Sequence, residues 1–323
     1  MSTIQTLEVP GFQVVQYLGS GARSTIWQIR DSHSNELFVL KRVVKRSMTD
    51  MRFIDQALNE WDVGGRLDHD NIRRVISLRR VKHWMSFREV HLIMEYCEGS
   101  TLQDNPPRGI LLTAEIFCQV ANAMAYINSR GYVHADMKPN NIVVAPSGLV
   151  KVIDLGQSCP IGTVKQRIQG TPDFIAPEQV RRGPLDARTD VFNFGATLYW
   201  ALTGTPIVTA LPKKKGMLLV DMVVQPPQEL NPNTPLPLSR LVMDCVETRP
   251  SRRPSSMHDV ASRLALITHA LRKARKNQEK AAAEGAPNPQ NTIRPENAEI
   301  LEPPTPTDDE AILTLIENDS VDE

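Results

Sequence analysis

Apolar residues recur with two different periods along this chain, and the change falls near residue 98. Between residues 10 and 98 short strands dominate. "FQVVQYLGSG" and "STIWQIRDS" are β-branched and aromatic runs broken by glycines, which predicts a hairpin. "ELFVLKRVV" and "VHLIMEYC" predict further strands. "TDMRFIDQALNEWDVGGRL" predicts a helix with Phe53, Ala57 and Trp61 on one face, ended by Gly64 and Gly65.

From about residue 111 the period becomes helical. "LTAEIFCQVANAMAYINSRG" lines up Ile116, Val120, Met124 and Ile127 and stops at Gly131. "TDVFNFGATLYWALTG" predicts an apolar helix with Asp190 as its N-cap and Gly204 beyond its end. "SSMHDVASRLALITHALRK" predicts a last amphipathic helix. After about 273 the residues turn to Ala, Pro, Asn and charge, which predicts a disordered, acidic tail over 273–323. Residues 1–9 read as an N-terminal extension.

Composition narrows the classes of function. The 323 residues suffice for one large domain or two modest ones, and 41% are hydrophobic, enough for a sizeable core. Net charge is zero, which argues against nucleic acid or anionic membrane as a general partner. No secretory leader and no uninterrupted apolar run of about 18 residues is visible, so a cytoplasmic location without a membrane span is expected. The four cysteines are scattered without a CxxC pair, which argues against zinc or a disulfide framework.

"YVHADMKPNNIVV" (132–144) sets Asp136, Lys138 and Asn141 between apolar runs. A carboxylate that accepts a proton, an ammonium that neutralises phosphate and an amide oxygen for a hard cation suit phosphoryl transfer. Ordinary surface loops carry the same residues. Further along, "NNIVVAPSGLVKVIDLG" reads as a hairpin that would bring Asn141 and Asp154 to one end of two strands, where they could share a metal. An aspartate in that position also caps turns. Gly19 and Gly21 lie at the first hairpin turn, where backbone N–H groups can approach phosphate, or where a plain turn needs them. Lys41 ends an apolar strand and needs a partner, for which Glu60 is placed; a strand-end lysine can also snorkel.

Taken in order, the glycine loop, Lys41, Glu60, "HADMKPNN", "DLG" and "GTPDFIAPE" resemble the eukaryotic-type serine/threonine protein kinase family over residues 10 to about 270. The resemblance implies an α+β, bilobal fold: a β-rich N-lobe over about 10–98, a mainly helical C-lobe over about 99–272, and an ATP cleft between them. Leu18, Gly19, Ser20, Gly21, Ala22, Ser24 and Ile26 would form the lid over ATP. Val39, Met94 and Val143 would surround the adenine, read by the backbone of Glu95 and Cys97. Lys41, fixed by Glu60, would hold the α- and β-phosphates. Asp136 would orient the substrate hydroxyl and Lys138 steady the transferred phosphoryl group. Asn141 and Asp154 would hold Mg²⁺, with Mn²⁺ as the alternative. Thr171 and the Glu178–Arg253 pair would set the activation segment. Proteins with Ser or Thr hydroxyls are the implied substrates, with autophosphorylation as a further expectation.

The pattern departs from the family at several positions. Ala135 stands where the family has arginine, so activity is expected to depend little on activation-segment phosphorylation. Ser24 takes the third glycine position and Leu155 the Phe of "DFG". Val39 replaces a smaller alanine, and Gly64 leaves out a bulky side chain, a gap expected under the helix. Val39, Ser24 and Gly64 support an alternative reading as a pseudokinase scaffold. A small-molecule phosphotransferase is a third reading, opposed by the "GTP…APE" segment. "LPKKKG" (211–216) reads as a solvated loop, with an acidic partner as the other reading. Thr305 and Thr307 lie in a flexible tail and offer phosphorylation or docking sites.

Overall fold

The computed structural model describes residues 7–21, 23–83, 86–207 and 224–284. Ala22, the "LPKKKG" stretch, Thr305 and Thr307 lie outside the described residues.

The first hairpin, β1 (Phe12–Ser20) and β2 (Ser24–Asp31), leads into β3 (Leu37–Val44) and helix α1 (Met51–Gly64). The hairpin β4 (Val75–His83) and β5 (Ser86–Glu95) completes an antiparallel sheet in the order β1-β2-β3-β5-β4. Side chains alternate across it. Leu40 packs with Ile29 and Ile93 on one face. Val43 packs on Ile54 and Ala57 of α1 on the other, and Val39 joins Leu92 and Met94. That alternation puts Lys41 on the side of α1.

Residues beyond this sheet form β6 (Ser100–Thr101), α2 (Ile110–Ser129), β7 (Tyr132–Val133), β8 (Ile142–Val144), β9 (Val150–Val152) and β10 (Cys159–Pro160). Helices α3 (Pro177–Arg181), α4 (Ala187–Thr203), α5 (Pro227–Leu230), α6 (Leu236–Cys245) and α7 (Met257–Glu284) follow. The expected hairpin is present: β8 pairs with β9, and Ile153 N donates to Asn141 O at its end. The large core lies here. Helices α2 and α4 meet at its centre, with the rings of Phe117 and Phe194 edge to face at 5.5 Å. Ile116, Val120, Met124 and Ile127 are all buried as their spacing predicts. Helix α2 is long and apolar enough to cross a membrane by length and composition alone; half of that window is buried in the fold.

Four expectations need correction. The buried face of α1 carries Ile54, Ala57 and Val63, while Phe53 and Trp61 are only partly buried. Asp186, not Asp190, caps α4, accepting from Arg188 N at 2.8 Å. No gap lies under Gly64: a Cβ there would clash with Val75, and Leu155 stands 3.6 Å away. Helix α7 runs to Glu284, past the break expected at 273, because "KARKNQEKAAAE" is composed mostly of good helix formers. The described residues up to Lys276 make one compact unit.

Candidate active site

Lys41, Glu60 and Asp154 come from β3, α1 and the turn after β9, and the fold brings them together. Lys41 Nζ lies 2.6 Å from Glu60 Oε2 and 3.2 Å from Asp154 Oδ1. Glu60 is almost fully buried, which requires its charge to be matched. Its second oxygen, Oε1, accepts from Arg73 Nη2 at 3.2 Å. Burial pulls the Lys41 pKa down, but Asp154 and Glu60 outweigh it and hold it above the ordinary value. Burial likewise opposes ionisation of Asp154, and the fields of Lys41 and Arg73 reverse that and hold its pKa well below the ordinary carboxylate range.

A second group of side chains surrounds Asp136. Lys138 Nζ donates to Asp136 Oδ2 at 2.7 Å, and Thr171 Oγ1 donates to Asp136 Oδ1 at 3.0 Å. The triangle closes with Lys138 Nζ to Thr171 Oγ1 at 2.9 Å. The loop itself is held by Asp190, which is fully buried. Asp190 accepts from His134 N at 2.9 Å, Ala135 N at 2.9 Å and Asn128 Nδ2 at 2.7 Å. Burial pushes its pKa up. These bonds fix Ala135 at φ 62°, a strained left-handed conformation for a residue with a Cβ. Asp154 is held at φ 65°, the same kind of strain beside the same cleft.

Asn141 donates from Nδ2 to Asp136 O at 2.8 Å. Asp154 Oδ1 takes the Lys41 bond and a Gly156 N–H at 3.3 Å. Asn141 Oδ1 and Asp154 Oδ2 have no protein donor among the described residues. Two hard oxygen donors at one hairpin end fit a cation such as Mg²⁺. No group of three His, Cys, Asp or Glu that could hold a metal occurs among the described residues, so such a cation would complete its shell with water and phosphate oxygens.

Val39, Met94 and Val143 are buried where β3, β5 and β8 approach the cleft, with Val39 directly opposite Met94. Glu95 ends β5 and Cys97 follows; burial raises the Cys97 thiol pKa. Leu18, Gly19, Ser20, Gly21, Ser24 and Ile26 form the tip of the first hairpin, where Gly21 N donates to Ser24 O at 2.9 Å. The segment from Asp154 to Glu178 is anchored at both ends. Asn59 Nδ2 donates to the carbonyls of Leu155, Gly156 and Ser158 at 3.2, 3.3 and 2.8 Å. At the far end Arg253 grips Glu178 with two bonds, at 2.7 and 2.9 Å. Its remaining N–H groups go to the carbonyls of Arg188, Glu247 and Thr248, and its guanidinium lies over the Phe192 ring at 4.9 Å.

The sequence reading overlooked Arg73, Asn59, Gln179 and Asn193, and gave Asp190 a different task. Asn193 donates to Phe174 O and to Gln179 Oε1, and Gln179 Nε2 donates to Ala135 O. A carboxamide inside an apolar helix is the visible signal for Asn193, since a buried amide requires partners.

The protein kinase domain profile matches residues 12–264. The chain belongs to that family. It is similar to a probable serine/threonine-protein kinase of Clostridium acetobutylicum, 25% identical over 266 residues, covering 79% of this chain and 40% of the relative. An Aurora kinase of Candida glabrata is 27% identical over 206 residues, 62% of this chain and 56% of the relative. The cAMP-dependent protein kinase type 3 of Saccharomyces cerevisiae is 25% identical over 257 residues, 77% and 63%. The chain thus spans less than two thirds of the length of each.

Proposed function

We propose that this chain is an ATP- and Mg²⁺-dependent serine/threonine protein kinase whose activity does not require a phosphorylated activation segment. The observation that carries the reading is the Lys41–Glu60 pair at 2.6 Å with Asp154 3.2 Å from the same ammonium. Lys41 holds the α- and β-phosphates. Asp136 orients the substrate hydroxyl and accepts its proton, while Lys138 offsets charge on the transferring group. Asn141 and Asp154 would hold the cation, which would neutralise the phosphate oxygens. Thr171, bonded to both Asp136 and Lys138, ties the activation segment to the place where a Ser or Thr side chain would enter.

Ala135 supports the second half of the proposal. Its methyl packs with Val133, Cys159 and Leu185, an apolar cluster where an arginine would need a phosphate partner. Neutral bonds from Asn59 and Gln179 order the segment instead. The scaffold reading loses one of its supports, because Val75 fills the space beside Gly64.

Labelled ATP and a generic protein substrate test both statements. Asp136→Ala should lower phosphate transfer by about 10²- to 10⁴-fold, and chelating Mg²⁺ should abolish it. Thr163, whose hydroxyl donates to Pro160 O at 2.6 Å, should tolerate alanine with activity kept within about twofold. A wild-type protein no more active than Asp136→Ala returns the scaffold reading. A large loss from Thr163→Ala removes the independence from phosphorylation.

A further inference from the structure

Arg73 is a mostly buried cation that the proposed reaction does not use. Its side chain is 12% exposed, whereas that of Arg74, the next residue, is 60% exposed. Its guanidinium reaches Glu60 Oε1, the carboxylate oxygen that Lys41 leaves free. Its main chain is fastened elsewhere: Arg73 N donates to Val152 O at 3.0 Å, Val152 N donates to Asn71 O at 2.8 Å, and Ile72 bridges Val152 in parallel. Val152 lies two residues before Asp154. The base of Arg73 is therefore tied to the strand that carries Asp154, and its tip holds the helix that carries Glu60.

We propose that Arg73 is a positioning residue that locks Glu60, and through it Lys41, in register with Asp154. Helix α1 lacks a side chain at position 64 with which to grip the segments beneath it, and Val75 occupies that space. The Arg73–Glu60 bond adds a polar clamp one turn away from that apolar contact. It also balances charge: Lys41 and Arg73 offset Glu60 and Asp154, so the cleft presents no net negative charge to an incoming polyanion. Without Arg73 the same four-group cluster would carry one net negative charge, and Glu60 Oε1 would be a buried acceptor without a donor.

This inference rests on the kinase reading for its kinetic part only. Three variants separate charge, hydrogen bonding and bulk: Arg73→Lys, Arg73→Gln and Arg73→Met. Hydrogen exchange of the α1 amides, residues 51–64, reads the clamp directly. Exchange should rise about tenfold in Arg73→Met, less in Arg73→Gln, and stay near wild type in Arg73→Lys. KM for ATP should rise severalfold in the Gln and Met variants but not in Lys; a merely structural loss would lower kcat and leave KM unchanged. The proposal is overturned if Arg73→Met matches wild type in both measurements, or if Arg73→Lys is as impaired as Arg73→Gln. Should Arg73→Met fail to fold, the Lys and Gln variants decide alone, with equal behaviour counting against the clamp. A wild type without phosphate transfer would sink the kinase reading, yet the exchange arm would still settle the role of Arg73.

Discussion

Around Glu60 the cleft is held by four charged side chains from four separate stretches of chain; around Asp136 it is held by backbone groups tied to one buried acid. In the upper region Lys41, Glu60, Arg73 and Asp154 are linked in one chain of ion pairs, so removing any one leaves the cluster with one uncompensated charge. Their geometry exists only while α1 is docked. In the lower region Asp190, Asn193, Gln179 and Arg253 bond mainly to carbonyls and N–H groups inside the large helical core. That region is fixed by folding itself. Catalytic placement is thus built in below and assembled above.

The largest expected effect falls on the lower region. Asp190→Ala leaves the buried N–H groups of His134 and Ala135 without an acceptor and leaves the Asn128 amide only Tyr132 O, and should cost about 3 kcal/mol or more in urea unfolding. A cost below about 1 kcal/mol would erase the distinction between the two regions. The next test strikes the upper region. Gly64→Leu should cost about 1–3 kcal/mol through overpacking against Val75 and should reduce phosphate transfer more than stability, because it lifts α1. Adding Val75→Ala should recover part of both losses, giving a coupling of opposite sign to the single effects. If Gly64→Leu instead raises stability, the space is empty and the picture of a filled one fails.

The smallest effect is a pH dependence confined to the sheet. Two bonds from Arg42 hold the pKa of Glu89 down from 4.5 to about 2, against burial and with help from His91. The carboxylate therefore stabilises the fold fully above pH 4.5, and this contribution fades as pH falls from there toward 2. Glu89→Gln should lower stability by about 1 kcal/mol at neutral pH after discounting for solvent screening, with the difference from wild type vanishing near pH 2. A difference that persists at pH 2 would point to packing in place of charge.

Most of the site was legible because its residues have demanding chemistry at fixed spacing. An ammonium inside an apolar strand, as Lys41 proves to be within β3, or a carboxylate before a glycine at the end of another, advertises a need for partners. What remained hidden depends on approaches between distant stretches. Two adjacent arginines follow Ile72, and the sequence does not tell which turns inward; the pairing of Ile72 with Val152 does. Asp190 looked like a cap of its own helix, yet its partners lie 55 and 56 residues upstream. Gly64 looked like a hole because the side chain that fills it, Val75, comes from the start of a strand whose charge-rich sequence gave little apolar alternation. The lower core was easier, since Ile116, Val120, Met124 and Ile127 declare a helix face by local period alone.

Asn59 stands one residue from Glu60, and its single amide fastens the carbonyls of Leu155, Gly156 and Ser158 in the segment after Asp154. Helix and segment are therefore geared together. A rotation of α1 that parts Glu60 from Lys41 also drags the first residues of that segment, so this protein has no inexpensive way to swing one out while leaving the other at rest.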